Sequence, residues 1–260
     1  MKWCRFQSGD TAAYGVIEGG KVVKVAGSPF TDYSVTTKAF PLEEVKLLVP
    51  VIPPTFYAAG RNYREHVISV ARGQGREPRF PSQANIGYRA NNALIAQGEP
   101  IVIPRDASEL VQYEGELVAV IGKTCRNVSE DEALDYVLGY TIGNDVSERN
   151  WQRSDGTLWR AKNSDTFKPM GPWIVTGLDP DELHVTIRLN EGIVGEYGVA
   201  TAIFGVKQYI SRMSQYMTLH PGDVIWMGTD GDTLNMKDGD VVEVEINGIG
   251  VLRNPVVRER

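Results

Sequence analysis

The residues of this chain best placed to do chemistry are carboxylates. In Glu114-Gly115-Glu116 the two acids are spaced i and i+2, and on a strand that spacing projects both side chains from one face. Like charges so close repel, and a divalent cation with oxygen ligands offsets them. The other arrangement open to the pair is two solvated carboxylates on an edge strand. The apolar run Leu117 to Ile121 that follows places the pair at the mouth of a buried strand. A third acid, Asp145, stands in Gly143-Asn144-Asp145-Val146-Ser147, where an apolar strand meets a capped helix. There it either helps to cap the helix or points into a site, and both readings are open. Three carboxylates without nitrogen or sulfur partners favour Mg²⁺, Mn²⁺ or Ca²⁺ over Zn²⁺, with positions left for water or a chelating substrate.

Other side chains could serve such a centre. His66 lies in Arg61-Asn62-Tyr63-Arg64-Glu65-His66, on a helix that the pattern predicts from Asn62 to about Arg72. A lone histidine is more often solvated or packed than catalytic, and His184 and His220 have no nearby acid or helix face that points to a role. Arg61, Arg64, Arg72, Arg76, Arg79 and Arg89 cluster in an otherwise acidic chain and hint at an anionic substrate, although arginines also solubilise loops. Lys162 is either a surface lysine or, facing the acids, a holder of a substrate carboxylate or developing oxyanion. Dinucleotide and phosphate loops, the Gly-x-Ser-x-Gly elbow and His-Glu-x-x-His are absent. Asp230-Gly231-Asp232 starts like a calcium loop but lacks the later ligands, and reads as a turn.

The elements that must position these residues are mostly short strands. Val16-Ile17 and Val22 to Val25 flank Gly19-Gly20 as a hairpin, and Pro50, Pro53 and Pro54 mark a boundary, giving a small β unit over 1–52 and a larger unit over 53–260. A strand Phe56 to Ala59 precedes the His66 helix. The Gly-, Pro- and Arg-rich stretch after it makes residues 62–85 a candidate lid. Ser129 and Glu132 have the form of a capping box for a helix through Tyr136, and Ser147 is placed to cap a helix through Gln152. Further strands are predicted at Tyr140 to Val146, Trp173 to Thr176, Val224 to Met227 and Val241 to Ile246, with a hairpin from Val185 to Tyr197. A helix is predicted near Gln208 to Met213, and Asn247-Gly248 gives the strongest turn signal. The fold class is therefore β-rich α+β.

Composition narrows the function further. The 260 residues carry 27 Lys and Arg against 33 Asp and Glu, a net charge of -6 that speaks against a polyanion partner such as nucleic acid. Cys4 and Cys125 form no metal or disulfide pattern. No apolar run reaches the roughly 18 residues of a membrane span, and the opening residues lack a signal-like apolar core, so a cytoplasmic protein is expected.

In order along the chain, several segments resemble the fumarylacetoacetate hydrolase superfamily, in its acylpyruvase and 2-hydroxyhepta-2,4-diene-1,7-dioate isomerase-like branch. They are Gly60 to His66, Tyr113 to Leu117, Gly139 to Ser147, Arg160-Ala161-Lys162 and Gly171-Pro172-Trp173. Met217-Thr218-Leu219 with Pro221 to Ile225, and Gly248 to Gly250 with Arg253-Asn254-Pro255, complete the series. The resemblance implies a mixed β-roll catalytic domain, a small N-terminal β domain and a homodimer. It implies a Mg²⁺, Mn²⁺ or Ca²⁺ ion on Glu114, Glu116 and Asp145, with catalytic roles for His66 and Lys162. Arg61, Tyr63, Gln152 and Thr229 would bind a small oxo-acid substrate.

The resemblance also implies a reaction. The first expectation is hydrolysis of a C–C bond in a small diketo acid, as in aromatic catabolism. The alternative is decarboxylation of an oxaloacetate-type acid, or isomerisation or hydration of a 2-oxo-dienoate. The chain departs from the pattern at three points. Where hydrolases often pair the lid histidine with a glutamate one turn on, it has Ser69. Arg89-Ala90 replaces a usual Lys-Pro, and Gly228-Thr229-Asp230 replaces Gly-Thr-Pro.

Overall fold

A computed structural model describes residues 1–73 and 75–260. Gln74, within the candidate lid, lies outside the described residues. The first strands, Lys2–Ser8, Thr11–Glu18, Lys21–Gly27 and Tyr33–Pro41, form an antiparallel meander. It does not stand apart from the rest of the chain. Lys2 pairs with Val175 and Trp3 with Ile174, so the meander continues a 12-stranded mixed sheet. Alternation explains the join, because Trp3 packs on one face with Val16 and Ile174 while Cys4 and Phe6 pack on the other with Val22.

The middle of the large sheet is Gly115–Ile121, flanked by Val137–Asn144 and Val224–Trp226. Every residue of Gly115–Ile121 is buried, with Leu117, Ala119 and Ile121 in one apolar cluster and Val118 and Val120 in another. That is why the segment is apolar without alternation. A five-stranded sheet packs against it, in the order Gly192–Gly198, His184–Leu189, Val241–Ile246, Gly250–Arg258 and Ile101–Ile103.

Two glycines make room for the acidic strand. A Cβ on Gly115 would come within 2.9 Å of Val244 and 3.0 Å of Ile187 on the second sheet, and one on Gly143, paired with Glu116, would meet the Trp226 ring at 2.7 Å. Phe56–Ala59 runs parallel to Val224–Trp226, which sets Gly60-Arg61 beside Gly228-Thr229 where the two strands end. Asn62 stitches these ends by donating to the Met227 carbonyl at 2.9 Å and the Phe204 carbonyl at 3.0 Å.

Several expected elements shift. The His66 helix runs Arg64–Gly73, and the late helix is longer than expected, Val206–Tyr216. Ser129 and Glu132 do bond to one another, but the segment forms only a 3-10 turn, Ala133–Tyr136, since Val137 already pairs with Ile121. Ser147 does not cap the next helix. It pairs with Gln112 in a two-stranded ladder, and the Glu148 carboxylate accepts from the Trp151 N–H to cap Arg149–Ser154.

Candidate active site

The Glu114 backbone N–H donates to Asn144 Oδ1, and its carbonyl accepts from the Asp145 N–H at 2.8 Å. These two bonds tie the start of one strand to the end of its neighbour and so draw the three acids together. One carboxylate oxygen each from Glu114, Glu116 and Asp145 lies within 4.8 Å of the others, and all three residues are buried. The capping reading of Asp145 does not hold, because its carboxylate bonds only cations. Arg89 forks onto it with Nε to Oδ1 at 3.0 Å and Nη2 to Oδ2 at 2.8 Å. Lys162 Nζ reaches Oδ2 at 2.6 Å and Lys168 Nζ reaches Oδ1 at 2.8 Å.

Glu114 is likewise paired, with Lys162 Nζ at 2.5 Å and Arg149 Nη2 at 2.7 Å. Burial would raise both carboxyls, but Lys162 and Arg149 bring Glu114 down to about 2, and Arg89, Lys162 and Lys168 hold Asp145 well below the usual carboxylate range. Burial pushes the Lys168 ammonium down to about 7 against the pull of Asp145.

Glu116 is different. Among the described residues no ion pair reaches it, and its one hydrogen bond comes from the Gly228 N–H at 2.8 Å. Burial, Asp145 and Glu114 push its carboxyl well above the usual range. A buried carboxylate short of countercharge, beside two ionised ones, is what a divalent cation would satisfy, and three hard oxygen donors suit such an ion.

Glu114 and Glu116 border a cavity of about 830 Å³, on which Lys162, His66, Arg61 and Thr229 also converge. Gln152 also lines it, held by Arg149 Nη1, which donates to Gln152 Oε1 at 2.9 Å. Thr229 is buried and, among the described residues, its hydroxyl has no partner, so it is placed to meet a ligand. Tyr63 is not brought in. Its ring packs on Tyr197 with centroids 4.9 Å apart, wholly buried, and the cavity lining passes it by. His66 presents Nε2 3.8 Å from Glu114 Oε1, and its helix forms one cavity wall together with Ser69 and Val70.

Lys162 is carried by a helix the sequence did not suggest, Trp159–Asn163, whose start is held by Asp155 accepting from the Ala161 N–H at 2.9 Å. Arg149 and Lys168 were also missed. A counterion follows no spacing rule relative to the acid it serves, and nothing in their neighbourhoods marks them out. Arg89 had two signals, its place in the arginine cluster and its place in the run where a lysine is usual. No described helix is long and apolar enough to cross a membrane.

The family model for the fumarylacetoacetate (FAA) hydrolase C-terminal domain matches residues 55–257, and that for the Rv2993c-like N-terminal domain matches residues 1–50. Protein Rv2993c of Mycobacterium tuberculosis is 39% identical across 100% of this chain and 99% of its own. The crystal structure of 5-carboxymethyl-2-hydroxymuconate delta-isomerase from Mycobacterium smegmatis superposes with a TM-score of 0.90 at 38% identity, both chains covered in full. That of maleylpyruvate hydrolase from Sphingobium sp. SYK-6, in complex with manganese(II) and pyruvate, gives a TM-score of 0.79 at 25% identity over 100% of both chains.

Proposed function

The chain belongs to the fumarylacetoacetate hydrolase family, and from that premise we propose that it is a divalent-metal-dependent hydrolase that cleaves a C–C bond in a small diketo acid. The observation that carries the reading is a buried acid triad of which Glu114 and Glu116 line one cavity together with Lys162 and His66. Glu114, Glu116 and Asp145 would hold the ion, which when bound supplies Lewis-acid polarisation of neighbouring substrate oxygens.

The chain's own residues account for the rest. Lys162 and Arg149 set positive charge beside the acids, where a substrate carboxylate or developing oxyanion is stabilised. Arg61, Gln152 and the hydroxyl of Thr229 orient the substrate. His66 Nε2 takes a proton from the water that adds to the acyl carbonyl. The C–C bond then breaks, its electron pair passing to the pyruvyl fragment as an enolate, and proton return yields pyruvate and a carboxylic acid. The reading extends to a cytoplasmic homodimer serving aromatic catabolism, with a small N-terminal domain over 1–52 and a catalytic domain over 53–260.

A second reading is isomerisation of a 2-oxo-dienoate or decarboxylation of an oxaloacetate-type acid, which moves protons without an activated water. Ser69 in place of a glutamate and the full-length likeness to a delta-isomerase favour it. The test is NMR product identification with Mg²⁺-loaded and EDTA-treated protein, using acylpyruvates and oxaloacetate separately. Pyruvate plus a carboxylic acid from an acylpyruvate, lost with EDTA, is expected. Accelerated pyruvate formation from oxaloacetate alone would transfer the conclusion to decarboxylation, and turnover undiminished by EDTA would remove the metal.

A further inference from the structure

A base must be oriented as well as present, and one turn beyond His66 the helix offers only Ser69. Arg64–Gly73 buries just Val67 and Ala71, so packing alone holds it weakly. The N–H groups of its first turn need acceptors from outside the helix. One of them, the His66 N–H, finds its acceptor in a loop more than 160 residues away. Asp230 Oδ1 accepts from the His66 N–H at 3.0 Å, capping the helix from across the chain. The Gly231 carbonyl lies 3.0 Å from His66 Nδ1, and the Asp232 carboxylate accepts from the Ser69 hydroxyl. Gly231 has φ of 73°, a conformation glycine adopts without strain, at the residue whose carbonyl meets the ring.

The tautomer follows from the partner. A carbonyl oxygen only accepts, so its contact with the ring puts the proton on Nδ1 and leaves Nε2 with the lone pair in neutral imidazole. Nε2 is the nitrogen facing Glu114 across the cavity.

We propose that Asp230-Gly231-Asp232 is the positioning element for His66. Gly231 fixes the tautomer, Asp230 caps the helix, and Asp232 latches Ser69, doing from a loop what a carboxylate on the histidine's own helix would do. The kinetic consequence rests on His66 being the base, whereas the clamp itself does not.

The experiment is ¹⁵N NMR of the three histidines with amide exchange over residues 64–73, in the full-length protein and in Ser69→Ala, Asp232→Ala, Asp232→Asn and the Ser69→Ala/Asp232→Ala double variant. In the parent, neutral His66 is expected to carry its proton on Nδ1. Each alanine variant should shift His66 toward a mixture of tautomers, speed exchange in the helix by about fivefold, and lower kcat more than it raises KM. The double variant should be no worse than either single one. Asp232→Asn, which keeps an acceptor for Ser69, should behave as the parent. A proton on Nε2 in the parent, or unchanged tautomer and exchange in both alanine variants, overturns the clamp whatever the protein turns over. The expected spectra without turnover of any oxo acid would uphold the clamp and remove the hydrolase reading.

Discussion

The carboxylates are set by two paired, buried strands, Glu116 on one of them, Glu114 just before it and Asp145 just after its neighbour, while the histidine opposite rides on a ten-residue helix with two buried residues. Behind the acids stand two packed sheets, two glycines with no room for a methyl group, and four cations, Arg89, Arg149, Lys162 and Lys168. Behind the histidine stand hydrogen bonds from one loop. The difference follows from what each side must resist. Three carboxyl groups within 4.8 Å of one another resist ionising together and have to be contained by packing and countercharge. A lone imidazole needs only to be aimed, and a few hydrogen bonds of about 1 kcal/mol each aim it while letting the helix open at modest cost.

The sharpest break in this contrast comes from the buried side. Glu116→Ala should abolish divalent-metal binding, a loss of at least about 10²-fold by titration calorimetry, and activity with it. Metal affinity equal to the parent's would dissolve the triad as a metal centre. On the other side, His66→Ala should leave metal affinity intact yet lower hydrolysis by roughly 10²-fold or more in steady-state kinetics. If the reaction is decarboxylation the same variant should lose far less, so one substitution separates the two chemistries.

A third variant tests the packing rather than the charges. Gly143→Ala would drive a methyl into Trp226, a wholly buried ring two strands away in the same sheet that cannot swing aside. It should lower unfolding stability by about 1–3 kcal/mol in urea denaturation. A comparable small-to-large change on the lid side, at Gly60, where a Cβ meets nothing within 4 Å, should cost well under 1 kcal/mol. Equal losses at the two sites would erase the distinction between a packed wall and a hung one.

The same contrast explains what could be read from the sequence. The apolar run beyond Glu116 announced a strand covered on both faces, and the strand does carry Glu116, but it begins at Gly115, so Glu114 meets its partner acids from one residue before the strand rather than by the strand's period. Asp145 was left between two roles, since adjacency to a helix start says nothing about the cations that would come to meet it. Those three cations, Arg89, Lys162 and Lys168, arrive from separate elements or loops, and only pairing of distant strands brings them together. Ser147 had the chemistry of a cap, yet a ladder with Gln112 claimed it and passed the cap to Glu148. Asp230-Gly231-Asp232 was legible as a turn but not as a clamp, because the helix it holds lies more than 160 residues earlier in the chain.

The smallest expected effect concerns Arg89, which stands where a lysine is usual and forks onto both oxygens of Asp145 while Nη1 donates to the Tyr88 carbonyl at 2.9 Å. Arg89→Lys keeps the charge and loses the fork. Lys162 and Lys168 still touch Asp145, so the carboxylate stays ionised in the variant and no protonation change follows. What is lost is the plane of the carboxylate, which two parallel N–H bonds fix and a single ammonium does not. Metal affinity should therefore fall by only about 3- to 10-fold, with the unfolding midpoint nearly unchanged. Arg89→Gln, which also removes the charge, should lose clearly more. If lysine and glutamine prove equally damaging, charge contributes nothing at this position and the fork alone holds Asp145. If lysine costs nothing, the buried wall tolerates a loosened ligand, and the rigidity attributed to it belongs to the strands alone.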